Sequence, residues 1–476
     1  MVPIDWPSIH AEALDIFVRY LQIASVNPPG DEAPAARYLG ALIEAEGIPV
    51  EYIETAPNRE IVYARLYAAN ENSPSPRAAG GGGRGEGSLM LCNHLDVVPV
   101  EADYWDVPPF AGVIKDGFIF GRGAVDMKGA GVMQLITFLL LARTTTPLAR
   151  DVIFCGVPDE EAGGAWGMKW LCDNRPELVD VEYELSEGGM GMGEFLGRPA
   201  RIMPVATTEK KACGLRLRAI GKPGHGSRPH RDNSAVHLAR ALVKLADWER
   251  APTVSPMTRE YLRRLQSAGY VPEGDIEAIL PGLIEEHAAL KAMFINTLNI
   301  TMLAAGTKIN VIPARSEATL DCRLLPEQDP EDWRQQVIAR IDDPRITVEF
   351  VRDFHSDTVE CPWDTELFAV IQQVVTEAME DAVVLPTRTV EDAKGTAAPE
   401  RVEPLPRLVI LPTMTVGGTD NKFLRERGIP AYGFIPVLLS AEEAAGFHGN
   451  NEKISIVNFE MGCYLMYEIV RRFCAA

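Results

Sequence analysis

The stretch Ser88-Leu89-Met90-Leu91-Cys92-Asn93-His94-Leu95-Asp96 decides the fold. Residues 89–95 are almost continuously apolar up to a His-x-Asp, the pattern of a strand buried on both faces that ends in polar residues. A second apolar run lies at 152–157, and a helical stretch at 129–143 connects the two. This rhythm predicts an α/β domain with a mainly parallel central sheet and helices on both faces. A further buried strand is expected at 181–185, where Ser-Glu187-Gly-Gly follows.

Towards the N-terminus, Ile9, Ala13, Ile16, Phe17 and Tyr20 repeat at helical spacing and stop before Asn27-Pro28-Pro29-Gly30. A helix at 33–46 ends at Gly47, and strand-like runs follow at 50–54 and 61–67. The Gly-, Ser- and Pro-rich tract 68–88 is too polar to bury itself and reads as a surface loop. Beyond Thr208-Glu209-Lys210-Lys211 the pattern changes to alternating strands at 212–220, 296–303 and 316–323, separated by helical stretches. The expected organisation is a discontinuous catalytic domain, 1–208 and 354–476, interrupted by an α+β domain at 209–353. A polar insertion is expected at 386–406.

The chain has 476 residues, 46 Lys+Arg and 67 Asp+Glu, a net charge of −21. That length leaves room for a large core, and that charge argues against nucleic-acid or anionic-membrane partners. The longest apolar run, 132–142, falls far short of the roughly 20 residues a spanning helix needs. Eight cysteines without a Cys-x-x-Cys pair read as reduced, buried thiols. With no leader visible in MVPIDWPSIH, a cytoplasmic protein is expected.

Few residues are left to carry chemistry. His94 and Asp96 face the same side of their strand, so Asp96 can reach back to the imidazole and strengthen it as a metal ligand. Asp126 lies in Gly-Arg-Gly-Ala-Val-Asp-Met-Lys-Gly before a helix, where an ordinary N-cap is the competing reading. Glu160 and Glu161 adjoin at the end of a buried strand, where two acids repel unless a cation compensates; a solvated turn is the alternative. Glu187 ends the next strand, and His448 lies in the late loop Phe-His-Gly-Asn-Asn-Glu. Imidazole and carboxylate ligation without Cys suits zinc, with cobalt or manganese possible, and five ligands sharing one carboxylate suit two metals.

The motifs HLDVVP, GRGAVDMKG, PDEEAGG, Glu187-Gly-Gly, GKPGHGSRPH, NVIPARSEATLDCRLLP, VGGTDNKFL and FHGNNEKI occur in this order over nearly the whole chain. Together they resemble the di-zinc metallopeptidase family of acetylornithine deacetylase, succinyl-diaminopimelate desuccinylase, aminoacylase and glutamate carboxypeptidase. The resemblance implies two Zn2+ per subunit: His94 and Glu187 complete one site, Glu161 and His448 the other, and Asp126 bridges them. It implies a cis peptide after Asp126, Asp96 orienting His94, and Glu160 as the general base that activates the water between the metals and later protonates the leaving amine.

It further implies that the inserted domain is a lid and dimerisation domain. His225 would reach from it into the partner's active site to steady the tetrahedral oxyanion, so a homodimer is expected. The family usually has a second Ser where this chain has Gly226, and a plain turn histidine is the alternative. Asn310 and Arg323, 13 residues apart, match the carboxylate binders of the glutamate carboxypeptidase branch, against a strand-face ion pair for Arg323. Thr419 is a candidate for a hydrogen bond to the substrate backbone.

Glu187, where the aminopeptidase and dipeptidase branches tend to have Asp, resembles the acylase, deacylase and carboxypeptidase branches. With Arg323 it points to hydrolysis of N-acyl amino acids or C-terminal peptide bonds. A dipeptidase or aminopeptidase of the same family is the alternative. The extra helical stretch near 250–292 resembles the long-chain acylase and vacuolar carboxypeptidase-like branch. A non-catalytic scaffold would lack a ligand or the base, and neither is missing.

Overall fold

Strand Ser88–His94 is buried at every position, as its apolar run demands, and it lies near the middle of an eight-stranded sheet. The computed structural model describes residues 4–68, 87–380 and 405–476. The polar insertions read at 68–88 and 386–406 fall almost wholly outside them. In spatial order the sheet runs Val50–Ala56, Arg59–Leu66, Asp151–Val157, Ser88–His94, Tyr183–Phe195, Ala431–Leu439, Arg198–Glu209, Leu408–Thr415. The four strands from Asp151–Val157 to Ala431–Leu439 are mutually parallel, so their carboxyl ends share one edge.

Helix Lys128–Arg143 explains the apolar run at 132–142. It is buried along almost its whole length, packed with the C-terminal helix Ile456–Cys474 and with Trp6–Leu21 in the main core. Its first residue, Lys128, is sealed from solvent, and Nζ donates to the carbonyls of Tyr20 (3.3 Å) and Ile23 (2.5 Å) at the end of Trp6–Leu21. An ammonium there faces the negative end of that helix. All eight cysteines are buried and none forms a disulfide. Among the described residues no helix is long and apolar enough to cross a membrane.

A four-stranded antiparallel sheet forms a second layer, in the order Thr297–Ala305, Arg315–Leu324, Lys211–Ile220, Ile346–His355. Burial alternates along Arg315–Leu324, and the inward set packs on helices Ser234–Ala246 and Pro330–Ile341. Asn233 and Asp329 cap those helices by accepting from Ala235 N–H and Asp332 N–H. One hydrophobic core draws on residues from both sides of the boundaries expected at 209 and 353. Helices Pro256–Ser267 and Ile276–Glu286, read from sequence as part of the insertion, belong to that core. Met257, Tyr261, Leu262 and Leu265 pack against Ile202, Val409, Leu411 and Met414 of the large sheet. Arg264 Nη1 adds a hydrogen bond to Ile410 O at 2.9 Å. The physical reason is an apolar helical stripe that the last strands of the large sheet need as cover.

Candidate active site

The carboxyl edge of the parallel strands gathers the predicted residues. His94 ends its strand, and Glu160 and Glu161 open a short 3-10 turn after Asp151–Val157. Glu187 sits where the pairing of Tyr183–Phe195 with Ala431–Leu439 slips between Gly433 and Ile435. The backbone there passes through Gly188 at φ +123°, a conformation that a side chain would strain. The Asp126–Met127 peptide is cis, as expected. Asp126 is not the N-cap of the helix it precedes; Met127 takes that position, without a side-chain cap bond.

Instead, the two oxygens of Asp126 face two different imidazoles. Oδ1 lies 2.9 Å from His94 Nε2 and Oδ2 lies 2.8 Å from His448 Nε2. Glu187 Oε2 stands 3.8 Å from His94 Nε2, and Glu161 Oε2 stands 3.4 Å from His448 Nε2. Ligand atoms of His94, Asp126 and Glu161 fall within 4.8 Å of one another, as do those of His94, Glu160 and Glu187. Asp96, Asp126 and Glu187 are buried, whereas the His448 side chain is 48% exposed. The centre is therefore open on the His448 side.

Electrostatics test whether cations fit. Burial lifts the Glu160 carboxyl well above the carboxylate range, helped by Glu187; burial and Asp126 push Glu187 up to about 7. His448 is pushed up to about 10 by hydrogen bonds to Asp126 and Glu161. Burial opposes charge on His94, yet Glu187, Asp126 and Asp96 outweigh it and raise its pKa well above the ordinary value. Clustered carboxylates thus create a potential that draws protons onto both imidazoles. Cations placed between the same atoms would satisfy it, and the Glu161 Oε1 atom, buried without a hydrogen-bond partner, is one free donor. The residue set fits two metal ions, with Asp126 shared.

Asp96 meets His94 through two groups. His94 Nδ1 bonds the main-chain carbonyl of Asp96 at 2.9 Å, while the carboxylate stays 3.6 Å away. That carboxylate is occupied elsewhere: Oδ1 accepts from Glu160 N–H and Oδ2 from Glu161 N–H, both at 3.2 Å. Asp96 therefore fixes the imidazole tautomer with its backbone and the acidic turn with its side chain.

The remaining candidates make no hydrogen bond or ion pair to these side chains among the described contacts, though Asn421 Nδ2 links Thr419 Oγ1 to the Glu187 carbonyl. His225 is exposed, its Nδ1 2.8 Å from Ser227 Oγ, on a two-residue strand paired with Val311–Ile312. Asn310 is its neighbour, accepting Gly226 N–H at 2.8 Å through its carbonyl. Arg323 lies on Arg315–Leu324 with Nε 2.9 Å from Asp321 Oδ1, the strand-face ion pair weighed as its alternative. Thr419 is buried and its hydroxyl donates to Glu209 Oε2 at 2.6 Å.

Two residues of the site escaped sequence reasoning. Glu452 accepts from Val125 N–H (2.7 Å), Asp126 N–H (3.0 Å), Gly123 N–H (2.9 Å) and Arg122 Nη1 (2.6 Å), clamping the loop that bears Asp126. Asn421 Nδ2 donates to the carbonyl of Glu187 at 2.8 Å. Both lie within the motifs quoted above, but their partners are hundreds of residues away in sequence.

Comparison with known proteins places the chain in a family. The mouse (Mus musculus) N-fatty-acyl-amino acid synthase/hydrolase PM20D1 is 24% identical over 443 residues, 90% of this chain and 80% of that protein. Aminoacylase-1 of Sus scrofa is 26% identical over 428 residues, 89% of this chain and 87% of that protein. Among solved structures, the M20 family metallo-carboxypeptidase Sso-CP2 from Sulfolobus solfataricus superposes with a TM-score of 0.67 at 19% identity, covering 97% of this chain and 99% of that one. The di-peptidase Dug1p from Saccharomyces cerevisiae gives 0.64 at 13% identity, covering 98% and 97%. The family model described as Peptidase family M20/M25/M40 matches residues 90–411. The chain belongs to that family and is a metal-dependent amide hydrolase.

Proposed function

We propose that this hydrolase cleaves the amide bond of N-acyl amino acids or a C-terminal peptide bond, with Glu160 as general base. The observation that carries the reading is the divided Asp126 carboxylate, one oxygen on His94 and the other on His448, with Glu160 beside His94 and Glu187. His94, Asp126 and Glu187 would hold one ion and Asp126, Glu161 and His448 a second, with zinc the best match to the donor set. Bound there, the ions supply Lewis acidity to the amide carbonyl and lower the pKa of water.

The chain's own groups do the rest. Glu160 takes a proton from the attacking water as oxygen bonds to the carbonyl carbon. It delivers that proton to the nitrogen as the C–N bond breaks, giving an amine and a carboxylic acid. The substrate class is supported by Glu187 and by relatives named for aminoacylase and N-fatty-acyl-amino acid hydrolysis. Arg323 would bind the free carboxylate by exchanging Asp321 for substrate.

His225 and Asn310 would complete the oxyanion and substrate contacts in a partner subunit. A second copy has a surface to join: edge strand Thr297–Ala305 exposes Met302 (66%) and Leu303 (65%), and nearby Val243 of Ser234–Ala246 is exposed as well. The test is a hydrolysis screen of zinc-loaded protein against N-acyl amino acids of short and long chain, unblocked dipeptides and amino-acid anilides, with a chelated control. Chelator-sensitive cleavage of the N-acylated substrates is expected. Preference for free-amine dipeptides would overturn the substrate class and favour the dipeptidase branch.

A further inference from the structure

A buried polar cradle built from the chain before residue 90 touches the catalytic turn from behind. Arg59, at the start of Arg59–Leu66, is 9% exposed, and its guanidinium is surrounded. Nη2 donates to Asn27 Oδ1 (3.1 Å) and Pro29 O (2.7 Å); Nη1 donates to Glu32 Oε1 (3.3 Å) and to Asp159 Oδ1. Gly30, at φ +87°, closes over it: a Cβ there would lie 2.1 Å from Nη2, so only glycine fits.

From this cradle the contacts run to the reacting groups. Asn27 Nδ2 donates to Asp96 Oδ2 at 2.8 Å and to Asp159 Oδ1 at 3.2 Å. Asp96 holds the N–H groups of Glu160 and Glu161, and its carbonyl holds His94 Nδ1. Asp159 adopts φ +76°, a left-handed conformation that a non-glycine residue keeps only when its surroundings enforce it. Arg59, Asn27 and Trp166 N–H, at 3.0 Å from Oδ2, are those surroundings. Asn27 itself is pinned by a main-chain bond from its N–H to Val97 O at 2.9 Å. Glu32, Asp96 and Asp159 are all buried, and one guanidinium serves the cluster.

We infer that Arg59 and Asn27 are positioning residues for the reaction. Acting through Asp96 and Asp159, they fix where the Glu160–Glu161 turn presents its two carboxylates. The inference rests on the proposed roles of Glu160 as base and Glu161 as ligand. Asn27 is the joint of the device, because its amide donates to Asp96 and accepts from Arg59. A carboxylate at 27 would add a like charge beside Asp96 and Asp159, and an aliphatic side chain would leave both short of a donor.

The test compares full-length wild type, Arg59→Lys, Arg59→Met and Asn27→Ala, with Glu160→Gln as reference. Zinc affinity is measured by competition with a chromophoric chelator that resolves the first and second ion. Arg59→Met and Asn27→Ala should weaken the second ion and lower kcat, each by about 10–100-fold, with KM unchanged and the first ion affected far less; Arg59→Lys should fall between them and wild type. Wild-type affinity for both ions together with wild-type kcat overturns the inference, and so does equal weakening of both ions with a matching fall in melting temperature. Should Arg59→Met fail to fold, Asn27→Ala decides alone. If the wild type proves to hydrolyse no amide, the catalytic reading fails while the zinc titration still tests the cradle.

Discussion

Glu160 and Glu161 are adjacent in sequence, yet the short turn beginning at Glu160 sets one beside His94 and Glu187 and the other beside His448. Glu160→Gln should therefore lower kcat by about 10²–10⁴-fold while two zinc ions remain bound, as read by steady-state kinetics and metal analysis. Substantial remaining turnover would remove Glu160 as the base. Arg323→Ala should raise KM for free-acid substrates and leave their amidated analogues unaffected; equal responses would end its assignment to the substrate carboxylate. Residue types alone offered two meanings for Asp126, cap or ligand, and for Arg323, clamp or ion pair. For Asp126 a contact from a distant segment bears on the choice, since His448 lies far along the chain from it, whereas Arg323 meets Asp321 only two residues away. Glu452 gave no usable signal, because a buried acid is recognisable only once the N–H groups it accepts from are in place.

Strand Tyr183–Phe195 carries the proposed ligand Glu187 and a second acid, Glu184, buried inside the sheet. Burial pushes the Glu184 carboxyl up to about 7, against an opposing pull from Arg425. The folded protein therefore holds this proton more tightly than the unfolded chain. Its contribution is fully present below the unfolded carboxylate pKa of roughly 4.3 and is lost as pH rises through about 7. Urea unfolding from pH 4 to 8 should show Glu184→Gln gaining on wild type by about 3 kcal/mol across that window, and a pH-independent difference would mean an ordinary carboxyl. Leu262→Ala, in helix Pro256–Ser267, should cost about 2–5 kcal/mol. Its effect on hydrogen exchange should appear in Leu408–Thr415, and exchange confined to the antiparallel sheet would contradict the packing described here. The sequence places a helical stretch near 250–292 but could not say which sheet it covers, because an apolar stripe records that a face is buried and not what buries it.

The candidate metal cluster stands on the eight-stranded sheet, His225 lies on a two-stranded pairing beside Asn310, and the four-stranded antiparallel sheet ends in an open edge strand. Replacing Met302 with Lys and Leu303 with Glu together should give a monomer in sedimentation analysis. Zinc content should stay intact, and kcat should fall, with His225→Ala expected to lower it in the same way. A wild type that is fully active as a monomer would remove the partner's role. By itself the sequence determined the α/β class, the strand ends that carry chemistry and the set of acids and histidines gathered there. Those features follow from local hydrophobic pattern and from motifs a few residues long. Only the tertiary structure decided that Asp96 serves the acidic turn with its carboxylate, that Glu452 clamps the Asp126 loop and that helix Pro256–Ser267 covers the large sheet. Each of these depends on which distant surfaces meet, and hydrogen-bond geometry and packing are properties of that meeting rather than of any short stretch of chain.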